Sequence, residues 1–241
     1  MLSREDVRAL LSPFGVNPDD HALDNVLVYL DLLWRWNRRI NLTSLRSAED
    51  CITRHFGESF FLSRRVELRG RLLDIGSGAG FPGLALKLIA SELSAVLLEP
   101  IAKKRAFLKE VVRACGLERV EVRDERLEQF AGSHSAGLFD LVTARAVGDL
   151  DALIPAATNL LVPSGRLCLW VGSDSADQLL GARASRPLFN SVASGEWLVA
   201  GKSERDARAP SRSPALPLAW RDPIPLPLSR NRVLLIGERS W

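Results

Sequence analysis

The sequence predicts an α/β fold in which a mostly parallel sheet is covered by helices on both faces and preceded by a helical extension. Three observations lead there. Apolar runs of strand length alternate with helix-period segments from residue 67 onward, the first of these runs ends in a glycine-rich loop, and residues 1–66 read as helical.

Leu23, Val26, Leu27, Leu30, Leu33 and Trp34 recur at three- and four-residue steps and predict an amphipathic helix from Asp20 to Ile40. Ser47-Ala48-Glu49-Asp50 reads as the capping box of a second helix, with Ile52, Phe56 and Phe60 on one face. Together these helices form a cap, residues 1–66. Candidate strands follow at Arg71–Ile75, Ala95–Leu98, Val120–Val122, Phe139–Thr143 and Leu167–Val171, with helices between them at Leu84–Ala90, Ala102–Ala114 and Leu150–Leu161. Strands separated by helices of this length pair in parallel, because each helix carries the chain back to the starting edge of the sheet. Residues 202–230 are rich in Ser, Arg and Pro and read as an irregular connection. A last strand, Val233–Ile236, completes a domain spanning 67–241.

A chain of 241 residues holds one α/β domain with a modest extension, which excludes two large domains. At 46% hydrophobic and 25% charged residues, global disorder is excluded as well. The net charge of +3 rests mostly on arginine, whose planar fork suits phosphate and bases; RNA is compatible with this but not required by it. Cys51, Cys115 and Cys168 are odd in number and lack CxxC spacing. Neither a disulfide framework nor a metal site is expected, and a reduced, cytoplasmic setting fits. Charges interrupt the apolar residues of the N-terminus, and no window approaches the roughly 18 apolar residues of a membrane span, so no membrane partner is expected.

The most informative segment runs from Leu72 through Asp74 and Gly76-Ser77-Gly78-Ala79-Gly80-Phe81-Pro82 to Gly83, a strand passing through a glycine loop into a helix. Glycines let the backbone adopt positive φ and approach a ligand closely, and Pro82 sits where the helix should begin. A dinucleotide fingerprint, G-x-G-x-x-G, would need a third glycine where Phe81 stands. The spacing of Gly76, Gly78 and Gly80 is G-x-G-x-G instead, and no phosphate-binding lysine follows. Glu99 closes the second strand, where an acidic side chain accepts hydrogen bonds from the ribose of an adenosine. Nicotinamide cofactors and S-adenosyl-L-methionine share that feature. The loop spacing favours the latter, which has no pyrophosphate to cradle; a small NAD(P)-dependent oxidoreductase and a non-catalytic RNA-binding or assembly protein are the alternatives. Asp124 and Arg126-Leu127-Glu128 follow the third strand, where an adenine would rest, although Glu128 taken alone also reads as a solvated surface residue.

The fourth strand delivers Asp140-Leu141-Val142-Thr143-Ala144-Arg145-Ala146. It lacks the Asn/Asp-Pro-Pro-aromatic sequence that holds an exocyclic amine. Cys168 lies in an apolar strand and Cys115 ends a helix, so a cysteine nucleophile for cytosine C5 is disfavoured. Guanine N7 carries no proton, and its methylation needs alignment rather than a base. No catalytic residue is assigned with certainty, and Arg145 is left with a positioning role toward the methionine carboxylate, the RNA backbone or the base.

With these segments in view, the chain resembles the ribosomal small-subunit methyltransferase G family, also called glucose-inhibited division protein B. The resemblance covers about Trp34 to Gly172, with a weaker echo in the final strand. It rests on Trp36-Asn37-x-x-Ile40-Asn41-Leu42-Thr43, Arg54-His55, the loop Asp74–Gly83, Lys103-Lys104-x-x-Phe107-Leu108 and Arg145-Ala146. It implies a seven-stranded Rossmann-like class I methyltransferase fold and N7 methylation of one guanine, position 527, in the decoding-region loop of 16S rRNA. It further implies cofactor contacts at Gly76, Phe81, Leu127, Glu128 and Arg145, and a basic face at Lys103, Lys104 and Arg105 for RNA. Naked 16S rRNA or the 30S subunit is the implied substrate, and a monomer is expected. Two positions depart from the family's habit: Glu58 stands for an aspartate, and Trp170-Val171-Gly172 ends the fifth strand where Lys-Gly is usual. The second departure bears on affinity for rRNA. His55 reads as structural, and Asn37 and Asn41 as residues that pair with backbone to fix the turn between the helices.

Overall fold

A computed structural model describes residues 2–134, 136–145, 148–184 and 218–240. The cap opens with α1 (Arg4–Leu11), where Ser3 and Asp6 form a reciprocal capping box, and continues into α2 (Asp20–Asn37), capped by Asp19. Ser47 accepts from the Asp50 N–H at 2.9 Å and starts α3 (Ala48–Cys51), which runs on through a π-helical stretch, Ile52–Gly57, into α4 (Glu58–Phe60). The apolar spacing of Ile52, Phe56 and Phe60 foretells a plain helix, and all three are fully buried. At the end of the π turn Phe14 presses so closely on the backbone that any side chain at Gly57 would collide with its ring.

Strands β1 (Arg71–Ile75), β2 (Ser94–Leu98), β3 (Val120–Arg123), β4 (Phe139–Arg145) and β5 (Leu161–Gly172) pair in parallel, and β8 (Arg232–Arg239) joins β5 antiparallel. The order is β3-β2-β1-β4-β5-β8, with a further short strand, Leu218–Trp220, beyond β8. Between these strands lie α5 (Gly83–Ile89), α6 (Ala102–Ala114), α7 (Leu127–Ser133) and α8 (Leu150–Leu160), and α9 (Ser173–Ala184) follows β5. Pro82 takes the N-cap place of α5, one residue before the helical position its sequence suggests.

One expectation is corrected in part. The composition of 202–230 predicts an irregular connection, yet β6 (Leu218–Trp220) and β7 (Ile224–Pro225) both pair with β8, giving eight strands among the described residues where seven are expected. Proline disguises them: Pro225 lacks an N–H, which an edge position tolerates. Residues 202–217 lie outside the described residues.

Alternation along the strands divides the core into two layers. Leu72 faces a cluster with Val7, Leu23, Phe56, Leu84 and Phe107, so cap and sheet share one continuous apolar interior. Leu73 and Ile75 face the opposite cluster with Phe130, Leu153 and Leu160. At roughly 25 cal/mol per Å² of buried apolar surface, the shared layer fastens the cap firmly to the sheet.

Candidate functional site

Beyond the carboxyl ends of the parallel strands lie two cavities. The first, about 300 Å³, follows β1 and β2 and is lined by Ile75, Gly76, Leu98, the turn Glu125–Glu128 and the start of α8. Its floor is apolar, through Ile75, Leu98, Leu127 and Leu153, and its rim carries Glu125, Glu128 and Asp149 with one cation, Arg126. Gly76 has φ +66°, and a Cβ built there would meet nothing within 4 Å, so its bare backbone fronts open space. An apolar slot with a mainly acidic rim fits a cationic adenosyl sulfonium and disfavours an anionic diphosphate.

The glycine loop is held from both sides. Glu99, 3% exposed, accepts from the Gly78 N–H at 2.9 Å and from the Ile101 N–H at 2.8 Å. From the cap, the Tyr29 hydroxyl donates to the Ala79 carbonyl at 2.5 Å, and any side chain on Gly80 would strike that hydroxyl. Phe81 is sandwiched between Tyr29, 5.3 Å away and nearly parallel, and His55, 4.6 Å away. Beneath the loop the Asp74 carboxyl accepts from Thr143 at 2.7 Å, and its second oxygen has no hydrogen-bond partner. Burial pushes this carboxyl up to about 6.

The second cavity, about 480 Å³, lies between the cap and the ends of β4, β5 and β8, and Gly148 borders both cavities. Its lining carries Arg54, His55, Glu58, Arg145 and Arg232, with Ser44 and Ser175 beside them. Glu58, buried at 1% exposure, pairs with Arg145 at 3.1 Å and with Arg232. Burial raises the Glu58 carboxyl while the arginines oppose the rise. Arg145 also donates to the Arg54 carbonyl at 2.7 Å, and burial lowers it to about 10, so it stays charged at neutral pH. The Trp170 indole donates to the Glu58 carbonyl at 2.9 Å. His55 shares a 2.8 Å hydrogen bond with Thr43, and burial among arginines holds its imidazole down to about 3. A ring that weakly basic is a poor proton acceptor.

Of the residues expected to touch cofactor, the structure gathers Gly76, Leu127 and Glu128 at the first cavity. Gly78, Gly80 and Glu99 belong to the loop and its supports, Phe81 is buried under the cap, and Arg145 lines the second cavity. Asp124 is largely exposed and does not line the first cavity. Arg105 leaves the basic face expected of it, turning back to the carbonyls of Glu99 and Pro100, whereas Lys103 is exposed. Asn37 closes its turn as expected, accepting from the Leu42 and Thr43 amides and donating to the Thr43 carbonyl; Asn41 is exposed. Ala146 lies outside the described residues.

The family model for rRNA small subunit methyltransferase G matches residues 22–200. A Halorhodospira halophila protein named ribosomal RNA small subunit methyltransferase G is 40% identical over 178 residues, which is 74% of this chain and 83% of the relative. The chain belongs to the ribosomal RNA small subunit methyltransferase G family. A second such methyltransferase G, from Chloroflexus aggregans, is 36% identical over 88% of this chain and 94% of its own. Solved structures agree on the fold alone. A Thermotoga maritima S-adenosylmethionine-dependent O-methyltransferase superposes with a TM-score of 0.53 at 14% identity, over 88% of this chain and 71% of that one. TYW2 of P. horikoshii, in complex with MeSAdo, gives 0.54 at 11% identity, over 82% and 65%. As a methyltransferase G, the protein is an S-adenosyl-L-methionine-dependent methyltransferase, and the nicotinamide alternative falls away.

Sequence reasoning missed Tyr29 and Arg232 as site residues of this methyltransferase G and noted Glu58 only as standing for the family's aspartate. Tyr29 is the only tyrosine in the chain and sits on the buried face of α2, a polar ring among leucines. That much was visible as a signal. Nothing in the sequence connects Glu58 with Arg232.

Proposed function

We propose that the protein transfers a methyl group from S-adenosyl-L-methionine to N7 of a guanine in 16S rRNA. Gly76, Leu127 and Glu128 hold the adenosyl part in the first cavity, with Gly78, Gly80, Phe81 and Glu99 shaping the loop behind it. When bound, the cofactor supplies an electrophilic methyl on sulfur. Arg145 orients the RNA side, and the cap, residues 1–66, forms one wall of the RNA groove. Lys103, at the start of α6, offers a further exposed cation for RNA phosphates. The protein acts as a monomer in the cytoplasm.

One observation carries the choice of atom. Among the described residues of the second cavity, His55 is held near 3 and Glu58 is locked between two arginines, so neither group is poised to remove a proton. A ring nitrogen with an available lone pair needs no proton removed, and holding it in line with the methyl supplies the acceleration.

Purified protein, S-adenosyl-L-methionine and either naked 16S rRNA or 30S subunits test this, with modified guanosines mapped by mass. A single 7-methylguanosine at position 527 is expected. Inactivity on both substrates would leave the scaffold alternative standing.

A further inference from the structure

We propose that Arg232, held by Glu58, is the contact for an RNA phosphate next to the target base; this rests on the RNA reading above. The second cavity sets three guanidiniums, Arg54, Arg145 and Arg232, against the single carboxylate of Glu58, so two positive charges remain uncompensated among its described lining residues. In a partly buried cavity that excess favours an oxyanion.

Arg232 is built to present one edge. Its Nη2 is bound to Glu58 Oε1, and its Nε donates to the Ser229 hydroxyl at 3.3 Å. Its Nη1 has no hydrogen-bond partner among the described residues, and the side chain is a quarter exposed. Arg145, whose Nη2 pairs with the other oxygen of Glu58, likewise has a buried and unpartnered Nη1. One carboxylate therefore sets the direction of two forks, and the ordering entropy of Arg232 is met before any ligand arrives.

Position selects the ligand. Arg232 stands opposite Gly172 at the end of β5, where Trp170-Val171-Gly172 carries no cation, so the charge at this corner comes from β8 instead. Strand β8 is three strands from β1 and its glycine loop, about 14 Å at ordinary strand spacing. That separation, with the acidic rim of the first cavity on the loop's side, assigns Arg232 to the RNA rather than to the methionine carboxylate.

The test compares wild type with Arg232→Gln, Arg232→Lys and the double variant Arg232→Gln/Glu58→Gln. Arg232→Lys keeps a cation beside Glu58 and so guards the fold where a glutamine variant loses it, and a thermal melt of the double, which leaves Arg145 facing a neutral amide, is read beside its binding. Filter binding of a 16S decoding-loop transcript is measured from 50 to 200 mM salt, and cofactor affinity by calorimetry. Expected are about tenfold weaker RNA binding and a log–log salt slope shallower by about 0.7 to 0.9 in both glutamine variants, the loss of one phosphate contact. Lysine should restore the slope and only part of the affinity. Cofactor affinity should stay within twofold. An unchanged slope, or a cofactor affinity that falls in step with RNA affinity, overturns the assignment. The binding arm needs no turnover, so a wild type inactive in methyl transfer would defeat the proposed reaction while leaving this inference readable.

Discussion

Tyr29 lies flat against Phe81, ring centroids 5.3 Å apart and 14° from parallel, while its hydroxyl reaches 50 residues along the chain to the Ala79 carbonyl. The cap thereby grips the glycine loop, with His55 on the other side of Phe81. Tyr29→Phe should retain the stack and lose the buried hydrogen bond, at about 1–3 kcal/mol of stability for the unpaired carbonyl. Calorimetry should show weaker cofactor binding alongside the lowered Tm. A cofactor affinity equal to wild type would show that the cap does not set the loop.

Gly78 has φ +56°, and a Cβ there would meet only the Gly76 carbonyl, at 3.7 Å, so room is not its constraint. The conformation is. A β-branched residue strains at positive φ, and the shift would pull the amide from Glu99. Gly78→Val should weaken S-adenosyl-L-methionine binding more than tenfold with a small change in Tm, measured by titration calorimetry.

Two buried groups give opposite pH dependences. The Asp74 carboxyl, raised to about 6 from 3.8, holds its proton more tightly folded than unfolded. Its contribution therefore falls as pH climbs from about 4 to 6, by up to about 3 kcal/mol. His55, held to about 3 from 6.5, takes a proton more readily unfolded, so its contribution is complete above 6.5 and is lost as pH falls toward 3. Asp74→Asn should gain stability relative to wild type as pH rises from 4 to 7 in denaturant melts. Parallel curves for the two proteins would contradict the buried carboxyl.

Arg145 uses Nη2 for both the Arg54 carbonyl and Glu58 and leaves Nη1 unpartnered, a second donor nitrogen that lysine lacks. Arg145→Lys should reduce kcat about 10- to 100-fold, while the retained charge limits the loss of stability to about 1–2 kcal/mol. Steady-state kinetics beside a thermal melt separate the two effects.

Cys51, Cys115 and Cys168 are all buried, and desolvation pushes their thiols to about 12, 11 and 12. A colorimetric disulfide reagent should titrate none of them in the native protein and all three in guanidinium. Rapid native reaction of even one would mean that the core opens locally.

The parts of the site legible in the sequence are those built from consecutive residues. Gly76, Leu127 and Glu128 meet because the loops after β1 and β3 open on the same edge of a parallel sheet, a consequence of βαβ order alone. Glu99 was placed at the right strand end, yet it holds the loop's own amides, which spacing could not foretell. Strands β6 and β7 escaped notice because their pairing with β8 comes from tertiary docking rather than from local apolar alternation.

The amino-acid order thus determined the α/β alternation, the glycine loop and the family, since periodicity and backbone freedom are properties of neighbouring residues. Only the folded chain decided that Glu58 and Arg232, 174 positions apart, share a charge, that Phe14 sits against a π turn at Gly57, and that Tyr29 reaches the loop. Such pairs depend on which elements end up adjacent, and that is fixed by the burial of whole faces and not by any local pattern.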